Sequence, residues 1–267
     1  MRNESRSTDV DIRYKNQCRL DEENGVLYFL HQASTTTRRF QMISVAARRV
    51  CKSVLDDIIA HSKLSSFAAK RQAFSALAAY IAGAVLMPYH QFLEKCESER
   101  YDIDLLRQHF NTGYEQVCHR FITLREPGAE GVPFAFMRVD PAGHITKRFP
   151  LTRFPLPRYG HVCPLWPVFS TFQTPEKINQ NLGEFSNGDR FLMISRTSKK
   201  RASAFHEPPV VYSIMIVCDI LYADRLIYSE GLNLAENNAA LKIGPSCNQC
   251  SRQHCQQRQE FAWTLMH

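Results

Sequence analysis

The chain has no long apolar run. Its most apolar stretch, residues 74–88, is interrupted by Ser75 and Gly83 and falls short of the ~20 residues that span a bilayer. The N-terminus opens Met1-Arg2-Asn3-Glu4-Ser5 and stays polar through Asn16, without the apolar segment of a secretory signal. A cytoplasmic protein with no membrane partner is therefore expected. Glycine and proline are scarce, at 11 and 13 of 267 residues, which excludes collagen-like and low-complexity chains. Familiar catalytic signatures are missing too: Gly-x-Ser-x-Gly, the Walker A loop, Gly-x-Gly-x-x-Gly and His-Glu-x-x-His are all absent. The ten histidines are scattered, with no pair of them at helical spacing beside a glutamate.

What is present is ordinary globular material. Apolar residues make up 44% and charged residues 22%, which argues against disorder and coiled coil. The length suits one large domain or two modest ones. A net charge of +7 is a mild pointer to an anionic partner, of a size ordinary soluble proteins also reach.

Texture divides the chain in two. A turn at Asn24-Gly25 precedes a short strand, Val26 to Leu30. From Arg38 to Leu124 helical periodicity dominates. Ala46, Val50, Val54, Leu55, Ile58 and Ile59 recur at three- and four-residue steps. Phe74, Leu77, Ala78, Ile81, Val85 and Leu86 repeat the pattern until Pro88 stops it. Residues 101–124 predict two helices around Asn111-Thr112-Gly113. This is a packed hairpin rather than a DNA reader, because its second helix carries only Arg120 as a basic residue suited to a groove. The boundary lies at Arg125 to Gly131. Beyond it strands are predicted at 132–139 and 144–149, at 191–197 after the Asn187-Gly188 hairpin signal, and at 210–218, with one short helix near Asp224.

The strongest chemical signal is Cys247-x-x-Cys250-x4-Cys255. Three clustered thiols in a chain expected to stay reduced point to zinc or an iron–sulfur cluster, with a redox dithiol as the lesser option. Both metals usually want a fourth ligand. Cys163, in the loop Gly160-His161-Val162-Cys163-Pro164, is the best candidate, with His161 and His254 as alternatives. Cys51, Cys118 and Cys218 sit in apolar patterns and are expected to be structural thiols. A second signal is the basic and aromatic hairpin from Phe134 to Phe149. There Phe134, Phe136 and Arg138 share one face, and Arg138, Lys147 and Arg148 offer cations for phosphate. Its plainer meaning is a solvated basic edge, and the run Lys199-Lys200-Arg201 has the same plain meaning.

Longer ordered motifs carry a resemblance. One set comprises Met87-Pro88-Tyr89, Phe92-Leu93, Tyr101-Asp102-Ile103, Glu115 to Arg120, Gly131 to Phe134, Arg138-Val139-Asp140 and Lys147-Arg148-Phe149. The other comprises Cys163-Pro164-Leu165-Trp166, Ile243 to Cys247, Cys250 and Cys255. Over residues 25–258 the chain resembles the sensory region of the short-chain fatty acyl transcriptional regulators, whose best-known members control the methylcitrate cycle of propionate metabolism. The resemblance implies an acyl-CoA effector and a 4Fe–4S cluster, with Cys163, Cys247, Cys250 and Cys255 as its ligands. With the hairpin pattern, it makes Arg138, Lys147 and Arg148 the expected phosphate contacts, and Phe134 and Phe136 neighbours of the ligand's apolar part.

Three departures from the family are visible. The family's Xre-type helix-turn-helix is not found in the residues before 25, so DNA contact is expected only through a reader that this chain does not contain. The helix that carries His-Glu-x-x-His in the related IrrE-type metallopeptidases reads Phe40-Gln41-Met42-Ile43-Ser44-Val45-Ala46-Ala47-Arg48-Arg49, with neither imidazole nor carboxylate. The Gly-Gly pair common before the cluster cysteine is replaced by Gly160-His161-Val162.

The resulting expectation is an α+β protein. Residues 1–125 form a helical, degenerate metallopeptidase-like domain. It packs on an antiparallel-sheet sensory domain, residues 126–267, that bears the cysteine-ligated metal. The expected function is transcriptional regulation by sensing acyl-CoA or iron–sulfur status, without catalysis and with homo-oligomerisation left open. The alternative is a zinc-stabilised structural or partner-binding module with no small ligand. A hydrolase retained from the metallopeptidase relatives ranks third, since its base and metal ligands are missing.

Overall fold

The computed structural model describes residues 18–29, 33–157, 161–199, 206, 209–235 and 240–262. Compactness divides the chain into two units. The first comprises residues 1–88, 111–113 and 201–208, and the second residues 89–110, 114–200 and 209–267. The helices over 89–122 thus group with the sheet, whereas sequence texture groups them with the preceding helices.

In the first unit a hairpin joins β1 (Cys18–Asp21) to β2 (Val26–Phe29). Its turn is held by the Asp21 carboxylate, which accepts from the Asn24 backbone N–H at 3.1 Å and from its side-chain amide at 2.9 Å. Leu30, the predicted end of this strand, lies outside the described residues. Helix α1 (Thr35–Val50) starts where the Ser34 hydroxyl accepts the Thr37 N–H at 3.2 Å, relieving an orphan donor of the first turn. The chain breaks at Cys51 and continues as α2 (Lys52–Ala60). Helix α3 (Phe67–Leu86) is capped in the same way by Ser66 and ends ahead of Pro88.

The predicted apolar stripe is only half used. Leu55, Ile59, Ala78, Ala82 and Leu86 are buried. Val50 is 82% exposed and Val54 59%, while Ile58 and Val85 also face solvent. The stripe on α2 is two columns wide, and within this short helix only the Leu55–Ile59 column is covered. Cys51, expected as a buried thiol, is half-buried.

The second unit opens with α4 (Tyr89–Ser98), α5 (Ile103–His109) and α6 (Tyr114–Ile122). Asp102 caps α5 through the N–H groups of Asp104 and Leu105. Helices α5 and α6 bury Ile103, Leu106, Val117, Cys118, Phe121 and even Arg120, so this pair is a packed hairpin with its second helix spent on the core.

A six-stranded sheet follows, in the order β4-β3-β7-β6-β5-β8. Its strands are β3 (Ala135–Val139), β4 (Ile145–Phe149), β5 (Asn179–Glu184), β6 (Arg190–Lys199), β7 (Val211–Asp219) and β8 (Leu241–Lys242). Every pairing is antiparallel except the parallel β5–β8 edge. The Asn187-Gly188 turn forms as predicted, with Gly188 at φ 88°, a conformation favourable for glycine. The predicted short helix near Asp224 is two 3-10 turns, residues 220–225 and 227–229.

Both faces of the sheet are covered, which explains the near-continuous burial of β6 and β7. On one face Phe134 stacks on Phe121 at 5.3 Å and packs against Tyr101, while Phe136 lies 4.3 Å from the His119 ring. On the other, Ala135, Met137, Met193 and Val217 pack under Phe154, Trp166 and Ile243. A short helix, α7 (Pro167–Ser170), lies beside Trp166 in sequence. This second face carries the cysteines.

Candidate functional site

Cys163, Cys247, Cys250 and Cys255 line one small cavity of the sheet unit. Two loops bring them there. Ile243 continues the β8 edge by donating its N–H to Glu184 at 2.9 Å, and the chain then turns through Gly244-Pro245 into the Cys247 loop. The Cys163 loop docks on that turn. Cys163 donates its N–H to the Pro245 carbonyl at 3.1 Å, and the Trp166 indole Nε1 donates to the Gly244 carbonyl at 3.0 Å. Gly244 leaves no room for a side chain, since a Cβ there would stand 2.7 Å from the Cys250 Sγ. Cys51, Cys96, Cys118 and Cys218 lie elsewhere, and His161 and His254 are exposed and do not line the cavity.

Burial pushes the Cys163 thiol up from its ordinary value. The neighbouring Cys247 and Cys250 add to the rise, and hydrogen bonds from the Gly244 and Leu165 N–H groups oppose it. Three cations, Lys242, Arg252 and Arg258, also line the cavity. Arg258 donates to the carbonyls of Cys247 at 2.9 Å, Cys250 at 3.3 Å and Arg252. Arg252 ties the loop to the sheet edge through the carbonyls of Ile243 and Glu184. The donor chemistry, four sulfurs beside three positive charges, fits an anionic thiolate-bound metal group. Among the described residues, no three His, Cys, Asp or Glu side chains converge as ligands of a single ion.

The basic hairpin forms, but its cations are engaged within the protein. Arg138 and Lys147 face each other across β3 and β4, and both donate to the Glu115 Oε1 at 2.9 Å. Glu115 sits buried in the first turn of α6, where a helix N-terminus favours negative charge. Arg138 also donates to the Thr146 hydroxyl and lies 4.3 Å over the Tyr212 ring. Arg148 pairs in register with Met137, on the opposite face, and donates to the Pro157 carbonyl at 2.6 Å. Phe134 and Phe136 are fully buried. The expectation that these five residues share one ligand surface is corrected accordingly: alternation splits Lys147 from Arg148, and the two rings fill core. In the run Lys199-Lys200-Arg201, Lys199 approaches Glu176 at 3.8 Å, and its two neighbours lie outside the described residues.

The sequence offered no sign of the Trp166–Gly244 bond or of the two arginine clamps, since each joins residues distant in the chain or donates to backbone. Trp166→Phe keeps the packing but leaves the Gly244 carbonyl without its buried donor. We expect a loss of about 1–3 kcal/mol, with faster amide exchange over residues 244–250. Exchange and denaturation midpoints like wild type would show that the indole N–H does not hold this turn.

These features define an α+β protein with a sheet-borne cysteine cavity and an N-terminal unit whose described residues bring no metal-ligand cluster together. Residues 123–264 match the family described as Short-chain fatty acyl coenzyme A regulator, C-terminal, and residues 6–121 match the IrrE N-terminal-like domain. The chain belongs to the short-chain fatty acyl coenzyme A regulator family. It is 39% identical over 236 residues to a Propionyl-CoA carboxylase regulator of Cereibacter sphaeroides, covering 88% of this chain and 51% of that protein. It is 35% identical over 240 residues to the HTH-type transcriptional regulator PrpR of Mycobacterium tuberculosis, covering 90% and 49%. The chain thus spans about half the length of these curated relatives. A solved Mycobacterium tuberculosis transcriptional regulator superposes with a TM-score of 0.88 at 34% identity, covering 92% of this chain and 74% of that one. No single helix among the described residues is long and apolar enough to cross a membrane.

Proposed function

We propose that this chain is the effector-sensing part of a transcriptional regulator of short-chain fatty acid metabolism, that it binds an acyl-CoA, and that it catalyses no reaction. The observation that carries the proposal is the family membership of the sheet unit, joined to an IrrE-like part whose helix over Phe40 to Arg49 carries neither histidine nor carboxylate. Isothermal titration with propionyl-CoA tests the effector. Saturable binding that is lost with free propionate is expected, and the absence of heat with propionyl-CoA overturns it.

We also propose that Cys163, Cys247, Cys250 and Cys255 hold a 4Fe–4S cluster. The support is the four-thiol lining of one cavity and the N–H bonds to the Cys163 sulfur, the kind that tune cluster ligands. When bound, such a cluster supplies an oxygen-sensitive, redox-active group. The chain's own part is to hold the sulfurs, through Gly244 and the Arg258 clamp, and to balance their charge. Iron and sulfide analysis of anaerobically purified protein is the check. A colourless protein holding stoichiometric zinc would favour the alternative structural module.

A further inference from the structure

One shielded donor beside the cysteine cavity is unmet. Backbone already serves two of the sulfurs: Cys163 accepts from the Gly244 and Leu165 N–H groups, and Cys247 accepts from the Gln259 N–H at 3.5 Å. Of the three cations that line the cavity, Lys242 pairs with Glu184 at 2.7 Å. Arg252 donates its Nε to the Ile243 carbonyl at 3.3 Å and its Nη2 to the Glu184 carbonyl at 2.8 Å. Arg258 donates its Nη1 to the Cys247 carbonyl at 2.9 Å, and its Nη2 to the carbonyls of Cys250, at 3.3 Å, and Arg252. Its third nitrogen, Nε, is shielded from solvent and has no hydrogen-bond partner.

A loop clamp accounts for the two terminal nitrogens. It does not account for Nε, because a shielded cationic N–H costs free energy unless an acceptor arrives. The guanidinium is planar, so the bonds that fix Nη1 and Nη2 also fix the direction of Nε. Those bonds run to the backbone of Cys247 and Cys250 themselves, so the donor keeps its place relative to the loop that bears two of the sulfurs. The acceptors that a bound cluster brings to this cavity are sulfurs.

We propose that Arg258 is a positioning residue for the cluster: its Nε–H donates to a cluster or thiolate sulfur and raises the reduction potential. The inference rests on the 4Fe–4S reading above. Reduction adds negative charge to the sulfurs, so a fixed N–H and a nearby cation stabilise the reduced form more than the oxidised one.

The test uses the full chain, purified anaerobically with its cluster. In Arg258→Gln the one-electron reduction constant is expected to fall about tenfold, a potential ~59 mV more negative, read by a redox titration of the visible absorption. Arg252→Gln removes an equal charge from the same cavity, but its Nε already has a carbonyl partner, so its shift should be less than half as large. Wild type grown with arginine isotopically labelled at the guanidinium nitrogens gives a readout that needs no variant. Pulsed electron paramagnetic resonance of its reduced cluster should show coupling to a labelled nitrogen. That coupling should vanish in Arg258→Lys and persist in Arg252→Lys. If the Arg258 variants lose their iron, the wild-type coupling decides. A cluster without that coupling, or equal shifts in Arg258→Gln and Arg252→Gln, overturns this role and leaves the cluster standing. Wild type without iron overturns both.

Discussion

Replacing Glu115 with alanine is expected to cost about 3 kcal/mol of folding stability. The value lies at the low end of the roughly 3–5 kcal/mol seen when one partner of a buried ion pair is removed. The Glu115 Oε1 accepts from Arg138 and from Lys147, each at 2.9 Å, with His119 Nε2 at 3.5 Å. The Glu115 side chain is only 8% exposed and that of Arg138 13%, so truncation strands a guanidinium in a poorly solvated place. Lys147 is 44% exposed and can turn to water, and Arg138 keeps Thr146 and Tyr212, which holds the loss down. Glu115→Gln should lose less, because it keeps an acceptor oxygen. Urea denaturation checks both variants. A change under about 0.5 kcal/mol in Glu115→Ala would show that this carboxylate does not tie the β3–β4 hairpin to α6.

Cys163→Ala is expected to remove nearly all bound iron from anaerobically purified protein and to loosen residues 244–262. Cys163 joins the cysteine loop from 84 positions away in sequence, counted from Cys247, and its loop docks on that turn through Pro245 and Gly244. A bound metal group adds its binding free energy to the order of the segment that holds it, so losing a ligand should unfasten that segment first. Visible absorption and iron content report the cluster, and hydrogen exchange reports the loop. Cys51→Ser, at a half-buried thiol away from the cavity, should keep wild-type iron. Full iron in Cys163→Ala would exclude this cysteine as a ligand.

Local pattern carried much of the architecture. Ser34 and Ser66 begin helices because a hydroxyl there meets a free N–H, and Pro88 ends one. Asn187-Gly188 turns a hairpin, and the alternation through Phe134 to Val139 sorts side chains onto two faces. The Cys247-x-x-Cys250-x4-Cys255 spacing singled out three cysteines that line one cavity with Cys163. Adjacent positions on one strand point oppositely, so the separation of Lys147 from Arg148 was also legible in the pattern.

Other features depended on which distant element covers which surface. A lone Glu115 in a first turn looks like any helix-start carboxylate until α6 and β3 bury it beside Arg138. Phe134 and Phe136 resemble a ligand-facing aromatic pair until Phe121 and Tyr101 cover the first and His119 the second. Val50 and Val54 fit a core stripe, yet both are exposed, because no element among the described residues of their unit covers that column. Hydrogen-bond and apolar periodicity act over a few residues, so sequence alone determined the helices, turns and cysteine loop. Charge pairing and burial act across contacts between residues far apart in the chain, so only the tertiary structure decided that the hairpin cations serve Glu115 and Pro157.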